Sequence, residues 1–309
     1  PACGCWPRPA SPAARAEAAE IYVFERLPHH LAPLALPPEE LLLKILRFGL
    51  LTAAMFALWR WCSARVEAGA NDGREAGVAG LLKVMQLAGV AVIANGAGAL
   101  IQACLVDNPE IAAPILRYYW FRQADVVVPL AVALGVVKLA PGMPRPVGRA
   151  LIAVAALVGI WHVSTTPVFT KRPWAPPADK KLTDARAWRD ACHWVRNHVD
   201  ADAVFLVPWE GQSFKWHAHR ADVVNRKDIP QDAEGLIEWA RRRDLVFPSR
   251  IDGRNRLRWT FKNRLPEAIR RIAREVGATH LISSDTALRL PAVYQNDYYA
   301  VYEITEVPP

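Results

Sequence analysis

The chain has 309 residues, 52% of them hydrophobic, and its formal net charge is +8 at pH 7. That length allows about two ordinary domains. Hydrophobic residues are concentrated before Pro167, whereas charged residues of both signs recur from Thr170 onward. Because this positive charge is interspersed with negative charge, it indicates a solvated surface, and nucleic acid is not an expected partner.

Four apolar stretches approach the ~20 residues that a helix needs to cross a bilayer, where backbone polar groups must be satisfied within the segment. The third stretch is short and would need bundle packing or local bilayer thinning. The predicted spans are about 43–62, 81–106, 124–140 and 150–167. We therefore predict an α-helical membrane bundle of four spans over 41–167, after an N-terminal external segment, 1–40.

The distribution of Lys and Arg among the loops predicts the orientation of this bundle. It favours a cytoplasmic position for the loops 63–80 and 141–149, which leaves the loop 107–123 and the C-terminal part outside. The chain begins with Pro1 and shows no signal-peptide pattern. We therefore expect it to be the C-terminal part of a longer protein.

Beyond a linker at 168–183, the pattern changes to that of a small soluble α/β domain, 184–309. Asp184 is positioned to cap a helix, and the run AVFLVP at 203–208 predicts a short buried strand. The segment PEAIRRIAREVG predicts a helix that stops at Gly277, followed by a strand THLISS.

Two further patterns in this domain involve polar residues. The alternation in FKWHAHRADVV predicts a strand in which Lys215, His217 and His219 share one face. A polar strand face is favoured there over a site for a metal or an anionic headgroup. Asp228 and Gln231 have the spacing of a capping box and predict the start of the helix QDAEGLIEWARRRDLVF.

Metal-binding patterns are not evident in the sequence. The five cysteines lack zinc-ligand spacing, since Cys3 and Cys5 have no second pair. Adjacent histidines point in different directions in regular structure, so His29 and His30 do not predict a two-histidine metal site. No cofactor is evident, and a divalent metal stays an open alternative.

Three strings resemble segments of a known family: FERLPHHL (24–31), RYYWFRQADVVVPLAVAL (117–134) and FLVPWEGQSFKWHAHRADVVNRKDIPQDAEGLIEW (205–239). Together they are similar to the C-terminal part of a family of bacterial, chiefly planctomycete, multi-span membrane proteins of uncharacterised function. The layout of spans followed by an external α/β domain also resembles the GT-C superfamily of membrane glycosyltransferases.

The resemblance implies a multi-pass protein of the bacterial inner membrane with a periplasmic C-terminal domain. GT-C enzymes use lipid-phosphate-linked sugars, so the implied partners are membrane lipids and a polyprenyl-phosphate sugar. Their catalytic carboxylate typically lies in the first external loop, which would precede this sequence. Within the chain, the carboxylates of Glu25 and Asp125 are the remaining catalytic candidates.

The segment FERLPHHL holds Glu25, Arg26, His29 and His30 within six positions. Arginine and histidine can bind a diphosphate, and a carboxylate can act as a base. The segment also fits an amphipathic loop at the membrane interface, interrupted by Pro28. We treat these residues as one half of a candidate phosphate site.

The segment RYYWFRQAD places Arg117, Arg122 and Asp125 beside three consecutive aromatic residues. An aromatic belt with snorkelling arginines explains most of this pattern. An ionisable residue at bilayer depth usually faces a protein interior or a water-filled path, which makes Asp125 a candidate site residue with Arg122 as its expected partner.

The leading functional hypothesis is the C-terminal half of a GT-C-like glycosyltransferase. In it, Arg26, Arg117 and Arg122 bind the substrate phosphate, assisted by His29 or His30. The alternative is a non-catalytic membrane-anchored protein whose external α/β domain binds an envelope component or a partner. A transporter is a third alternative, supported only by one polar residue in the middle of the second span.

Overall fold

A computed structural model describes residues 10–67, 75–140, 143–165, 179, 181–248, 261 and 264–304. The chain divides into two compact units, Pro1–Thr165 and Thr166–Pro309. The first unit is helical, and the second combines helices with a five-stranded sheet. Most of the predicted linker, 168–183, lies outside the described residues.

The helical unit begins with short helical segments. Helix α1 (Pro12–Glu20) starts after Ser11, whose hydroxyl accepts a hydrogen bond from the Ala14 N–H at 3.1 Å. It is followed by a π-helix, Ile21–Arg26, then α2, Pro28–Leu31, and a 3₁₀ turn, Pro33–Ala35. Pro28 and Pro33 each open a new segment, because proline has no N–H to continue the preceding helix.

Longer helices complete this unit. They are α3 (Pro38–Glu67), α4 (Glu75–Cys104), α5 (Pro109–Leu116), α6 (Arg122–Leu139) and α7 (Arg145–Thr165). Helix α4 packs against α6 and α3. A small residue permits the close approach of these helices, since a Cβ on Gly135 would lie 3.0 Å from side-chain atoms of Leu58 and Met85.

Two helices among the described residues are long and apolar enough to cross a membrane, Pro38–Ala64 and Gly77–Cys104. Both present large apolar side chains on their surface, and the exposed fractions of Leu50 and Ile93 are each 73%. Such exposed apolar faces fit a lipid environment better than water. The prediction of a membrane protein is thereby supported at this coarse level.

The prediction of a four-span bundle is wrong, because only two of the described helices have the length and composition of a span. Helix α6 has 18 residues and includes Arg122, Asp125 and Lys138, which is too much charge for so short a span. The fourth predicted span, 150–167, lies partly outside the described residues. The first unit is therefore a helical unit with two candidate spans.

The sheet of the second unit is mixed. Its strands are β1 (Val204–Leu206), β2 (Ala221–Asp222), β3 (His280–Ser283), β4 (Ala292–Gln295) and β5 (Ala300–Glu303). Their order across the sheet is β2-β1-β3-β5-β4. Strand β1 is parallel to β2 and β3, and β5 is antiparallel to β3 and β4.

Four helices accompany this sheet in the described part of the unit: α8 (Ala185–His198), α9 (Phe214–Ala218), α10 (Ala233–Val246) and α11 (Pro266–Val276). Trp188, Phe205, Phe214 and Tyr299 are buried together in its main core. The prediction of a small α/β unit in the second half is confirmed at the level of helices and a sheet.

The predicted limits of two helices are confirmed. Asp184 caps α8, since its Oδ1 accepts hydrogen bonds from the N–H groups of Arg186 and Ala187 at 2.9 and 2.8 Å. Gly277 ends α11 with φ +69°, a conformation that glycine adopts without a steric penalty. Both signals are local, and neither depends on the rest of the fold.

Two other local predictions are wrong. The segment FKWHAHRADVV forms helix α9 and the two-residue strand β2, because Phe214 and Ala218, four positions apart, are both buried against the core. The predicted capping box at Asp228 is also absent. The cap of α10 is Asp232, whose Oδ1 accepts from the Gly235 N–H at 2.7 Å, whereas Asp228 pairs with Lys215.

Candidate functional site

A cavity of about 490 Å³ lies in the helical unit, where α2, α3 and the first turns of α6 meet. Its polar lining consists of His29, His30, Lys44, Arg47 and Asp125. Its apolar lining consists of Leu43, Phe48, Leu51, Ala124 and Pro129. The cavity thus combines basic side chains and one carboxylate with an apolar wall. We call it the basic cavity.

Helix α3 supplies half of this lining because of its periodicity. Residues 43, 44, 47, 48 and 51 recur at spacings of three and four and lie on one helix face. Lys44 is half-buried, and its ammonium donates a hydrogen bond to the backbone carbonyl of His29. This bond fixes α2 against α3 at the cavity.

His30 is half-buried, and its Nδ1 atom has no hydrogen-bond partner among the described residues. Burial lowers the pKa of His30 below its usual value, and the charges of Arg122 and Lys44 lower it further, whereas Asp125 acts in the opposite direction. These surroundings favour the neutral ring, which has one N–H donor and one acceptor nitrogen.

Two tyrosine hydroxyls connect the segments that hold the predicted site residues. Tyr22 and Tyr119 are hydrogen-bonded through their hydroxyls at 2.7 Å, although they lie 97 positions apart in the chain. Burial, followed by the bond to Tyr119, raises the pKa of Tyr22 to about 12. The guanidinium of Arg122 lies 5.7 Å from the centre of the Tyr119 ring. Tyr22 lies two positions before FERLPHHL, and Leu31 of that segment belongs to the same buried cluster as Phe121 of RYYWFRQAD.

Three of the residues predicted to form a site line this one cavity: His29, His30 and Asp125. The rings of His29 and His30 lie 4.2 Å apart between centroids. Arg122 does not belong to the lining, but its charge acts on His30. The expected pairing of Arg122 with Asp125 is replaced by proximity of Asp125 to His30 and Lys44.

The other predicted residues lie outside the lining. Arg117 contacts Tyr118, with Nη2 donating to the phenol oxygen at 3.3 Å and the guanidinium 5.1 Å from the ring centre. Arg26 acts electrostatically on Tyr22. Glu25 is exposed. For Arg117, the structure thus shows the contact between arginine and an aromatic ring that an interfacial belt would have.

Lys44 and Arg47 belong to the cavity and were not predicted as site residues. In the sequence they stand near one end of an apolar stretch, the pattern of cations that snorkel to a membrane interface. Their spacing of three residues places both on one helix face, which was the available indication of a shared role. Within the described residues, no group of three or more His, Cys, Asp or Glu side chains is arranged to hold a metal ion.

Fold and cavity together define a helical protein with two candidate spans and a basic cavity, followed in the chain by an α/β unit. A family model described as a domain of unknown function, DUF6798, matches residues 186–246, which include α8 to α10. No curated protein and no solved structure matches the chain. The family match does not extend to FERLPHHL or RYYWFRQAD, so the resemblance to multi-span bacterial proteins and GT-C enzymes stays a prediction.

Proposed function

We propose that this chain is a membrane protein that binds a phosphate-bearing lipid, with the phosphate in the basic cavity. The observation that carries the proposal is the convergence of His29, His30, Lys44 and Arg47 on one cavity with an apolar wall. A phosphate that leaves water needs several charged or hydrogen-bonding partners to offset its desolvation. Arg47 supplies a permanent positive charge, and the Lys44 amine and the two imidazoles supply further donors.

The apolar half of the lining supports a lipid as the bearer of that phosphate. Leu43, Phe48 and Leu51 continue along the same face of α3 as the two cations, and this helix is one of the candidate spans. Leu43 itself is exposed over 68% of its surface. A headgroup bound at the cations would therefore place its hydrocarbon chain along an apolar helix face.

Sugar transfer from a polyprenyl-phosphate sugar is a second candidate function, favoured by the carboxylate of Asp125 in the same cavity. In that reaction the acceptor oxygen bonds to the anomeric carbon as the carbon–oxygen bond to phosphate breaks. Asp125 would take the acceptor proton, while Lys44 and Arg47 would stabilise the phosphate that leaves. Without this reaction, the chain would be a lipid-binding protein that carries an α/β unit.

Arg47→Gln tests the binding proposal in the full chain, purified in detergent. The probes are a polyprenyl phosphate and the polyprenol of the same length. We expect the wild type to prefer the phosphate and the variant to bind it at least about tenfold more weakly, because a hydrogen bond to a charged group contributes about 1.5–3 kcal/mol. Arg60→Gln, on the same helix and exposed, is the matched control. Equal affinity for phosphate and polyprenol would refute the proposal.

Asp125→Asn separates binding from transfer. If the chain transfers sugar, this variant should still bind polyprenyl phosphate with wild-type affinity. It should no longer release polyprenyl phosphate from the polyprenyl-phosphate sugar. Wild-type protein that binds the loaded lipid and releases nothing would favour the non-catalytic alternative. Loss of both binding and release would instead assign Asp125 a role in shaping the cavity.

A further inference from the structure

A second cavity, of about 580 Å³, lies in the α/β unit and is lined by α8, α9 and the residue that follows α9. Its lining consists of His193, Arg196, Lys215, Trp216, His217 and His219. We propose that this cavity, which we call the tryptophan cavity, binds an anionic sugar such as a sugar phosphate or a uronic acid. The site is separate in the chain from the lipid site proposed above.

The exposed indole of Trp216 is the first reason for a sugar. The exposed fraction of Trp216 is 81%, although tryptophan is usually largely buried. Its neighbours Phe214 and Ala218 are buried in the core and anchor the short helix that carries it. A flat apolar ring at a polar cavity offers a stacking surface for the C–H face of a pyranose. The volume of the tryptophan cavity lies in the usual range for small-ligand sites.

Basic groups around this indole are the reason for a negative charge on the sugar. Arg196 is exposed and supplies a permanent positive charge. Lys215 contributes less, because its ammonium pairs with Asp228 and lies 3.1 Å from Asp222. His193 on α8 and His219, which follows α9, are exposed at the same cavity, so donors approach the ligand from two sides.

His217 lies near a buried carboxylate. Its Nε2 atom lies 3.8 Å from Oδ2 of Asp179, which is fully buried, and Oδ1 of Asp179 accepts a hydrogen bond from the Ser213 hydroxyl at 2.5 Å. The ring centres of His217 and His193 are 6.1 Å apart. At 3.8 Å, Nε2 and Oδ2 of Asp179 are too far apart for a hydrogen bond, so the carboxylate acts on this wall of the site by its charge.

Calorimetric titration of the full chain in detergent tests the proposal, using glucose 6-phosphate, glucuronate, glucose, inorganic phosphate and adenosine monophosphate as probes. The Arg47→Gln background is used because it weakens phosphate binding at the basic cavity. We expect at least one anionic sugar to bind more tightly than both glucose and phosphate, and the two anionic probes distinguish phosphate from carboxylate as the charge. If neither anionic sugar exceeds inorganic phosphate, the proposal is overturned. Tighter binding of adenosine monophosphate would make this a nucleotide site and would also overturn it.

Single substitutions test separately how much stacking and charge contribute to binding of the anionic sugar. Trp216→Ala should weaken the preferred anionic sugar about tenfold, or about 1.4 kcal/mol, and leave inorganic phosphate unchanged, whereas Trp216→Phe should recover part of the loss. Arg196→Gln should weaken the binding of the anionic sugar and of inorganic phosphate by a similar factor. The matched controls are Tyr298→Ala, an exposed aromatic residue, and Arg186→Gln, an exposed arginine on α8. Wild-type affinity in both Trp216→Ala and Arg196→Gln would refute the site.

Discussion

Trp188 is fully buried in the core of the α/β unit. Its indole N–H donates to the Ser213 hydroxyl at 3.0 Å, and its ring meets that of Tyr299 edge-on with centroids 5.2 Å apart. Trp188→Ala should therefore lower the free energy of unfolding by about 3–5 kcal/mol, measured by denaturant titration. Trp194→Phe, at a partly buried ring stacked on Tyr294, should cost much less. Equal losses would contradict this assignment of the core.

Histidine burial predicts how the stability of the α/β unit depends on pH. Burial lowers the pKa of His280, against the raising effects of Glu303 and Asp200. Burial also lowers the pKa of His217, with His193 and Arg189 adding to this and Asp179 opposing it. The unfolded chain therefore binds more protons than the folded one once the pH falls below the usual histidine value of about 6.5.

Stability is therefore expected to be fully present above that pH and to fall as the pH drops from 7.5 to 5. Thermal midpoints measured across this range should decrease, and His280→Gln should reduce the decrease. His198→Gln, at an exposed histidine of α8, is the control and should follow the wild type. An unchanged pH dependence in His280→Gln would count against the role of His280.

At the scale of single residues, the candidate site was only partly predictable from the sequence. His29, His30 and Asp125 could be singled out because ionisable residues near apolar stretches are conspicuous in a sequence. Lys44 and Arg47 have the same charge pattern as snorkelling residues, and only the docking of α2 on α3 distinguishes the two roles. Side-chain charge identifies candidates, whereas the packing of helices decides which of them share a cavity.

At the scale of single helices, the cap of α10 offers a direct test. Asp232→Ala should destabilise the α/β unit by about 1 kcal/mol, because the Gly235 N–H loses its partner. Asp228→Ala removes only an exposed pairing with Lys215 and should cost less. Denaturant unfolding of the two variants measures the difference. A larger loss for Asp228→Ala would restore the capping box that the sequence predicted.

The segment FKWHAHRADVV shows why one element was misassigned. Alternation over a few residues satisfies a strand pattern, yet Phe214 and Ala218 also satisfy the four-residue spacing of a helix. Burial of both residues against the α8 core selects the helix, and this information lies outside the segment. By contrast, Asp184 and Gly277 act on their own backbone, which explains why those two helix limits were predicted correctly.

The two candidate spans make a prediction for the membrane. If α3 and α4 both cross it, reporters inserted after Glu67 and after Asn108 should lie on opposite sides, because a single crossing separates them. Enzymatic reporters that are active on only one side of the membrane provide the measurement. The same compartment for both positions would mean that α4 does not cross.

On the scale of the whole molecule, the division into two units predicts that the second can fold alone. The main buried core formed by Trp188, Phe205, Phe214 and Tyr299 lies entirely within residues 179–309. Expressed without the helical unit, this part should give one cooperative thermal transition, since its size suits an independent domain. A broad transition, or insolubility in the absence of the first unit, would contradict this expectation.

The predicted number of membrane spans was wrong for a physical reason. Apolar length alone identified four stretches, but the third includes Asp125 and Lys138, and its helix also begins at Arg122. Apolar composition can mark a buried helix as well as a membrane-spanning one. The general division between an apolar first half and an α/β second half was visible because it depends on composition averaged over many residues.

The parallel pairing of β1 with β3 has a consequence for biosynthesis. The Thr279 N–H donates to the Val204 carbonyl at 2.9 Å, across 75 positions of the chain. A ribosome adds about 5–20 residues per second, so β1 would wait about 4–15 s for this neighbour after its own synthesis. During that interval one edge of β1 is open to other nascent chains. Chaperone depletion should therefore reduce the yield of this protein most when translation is slowed between codons 207 and 280.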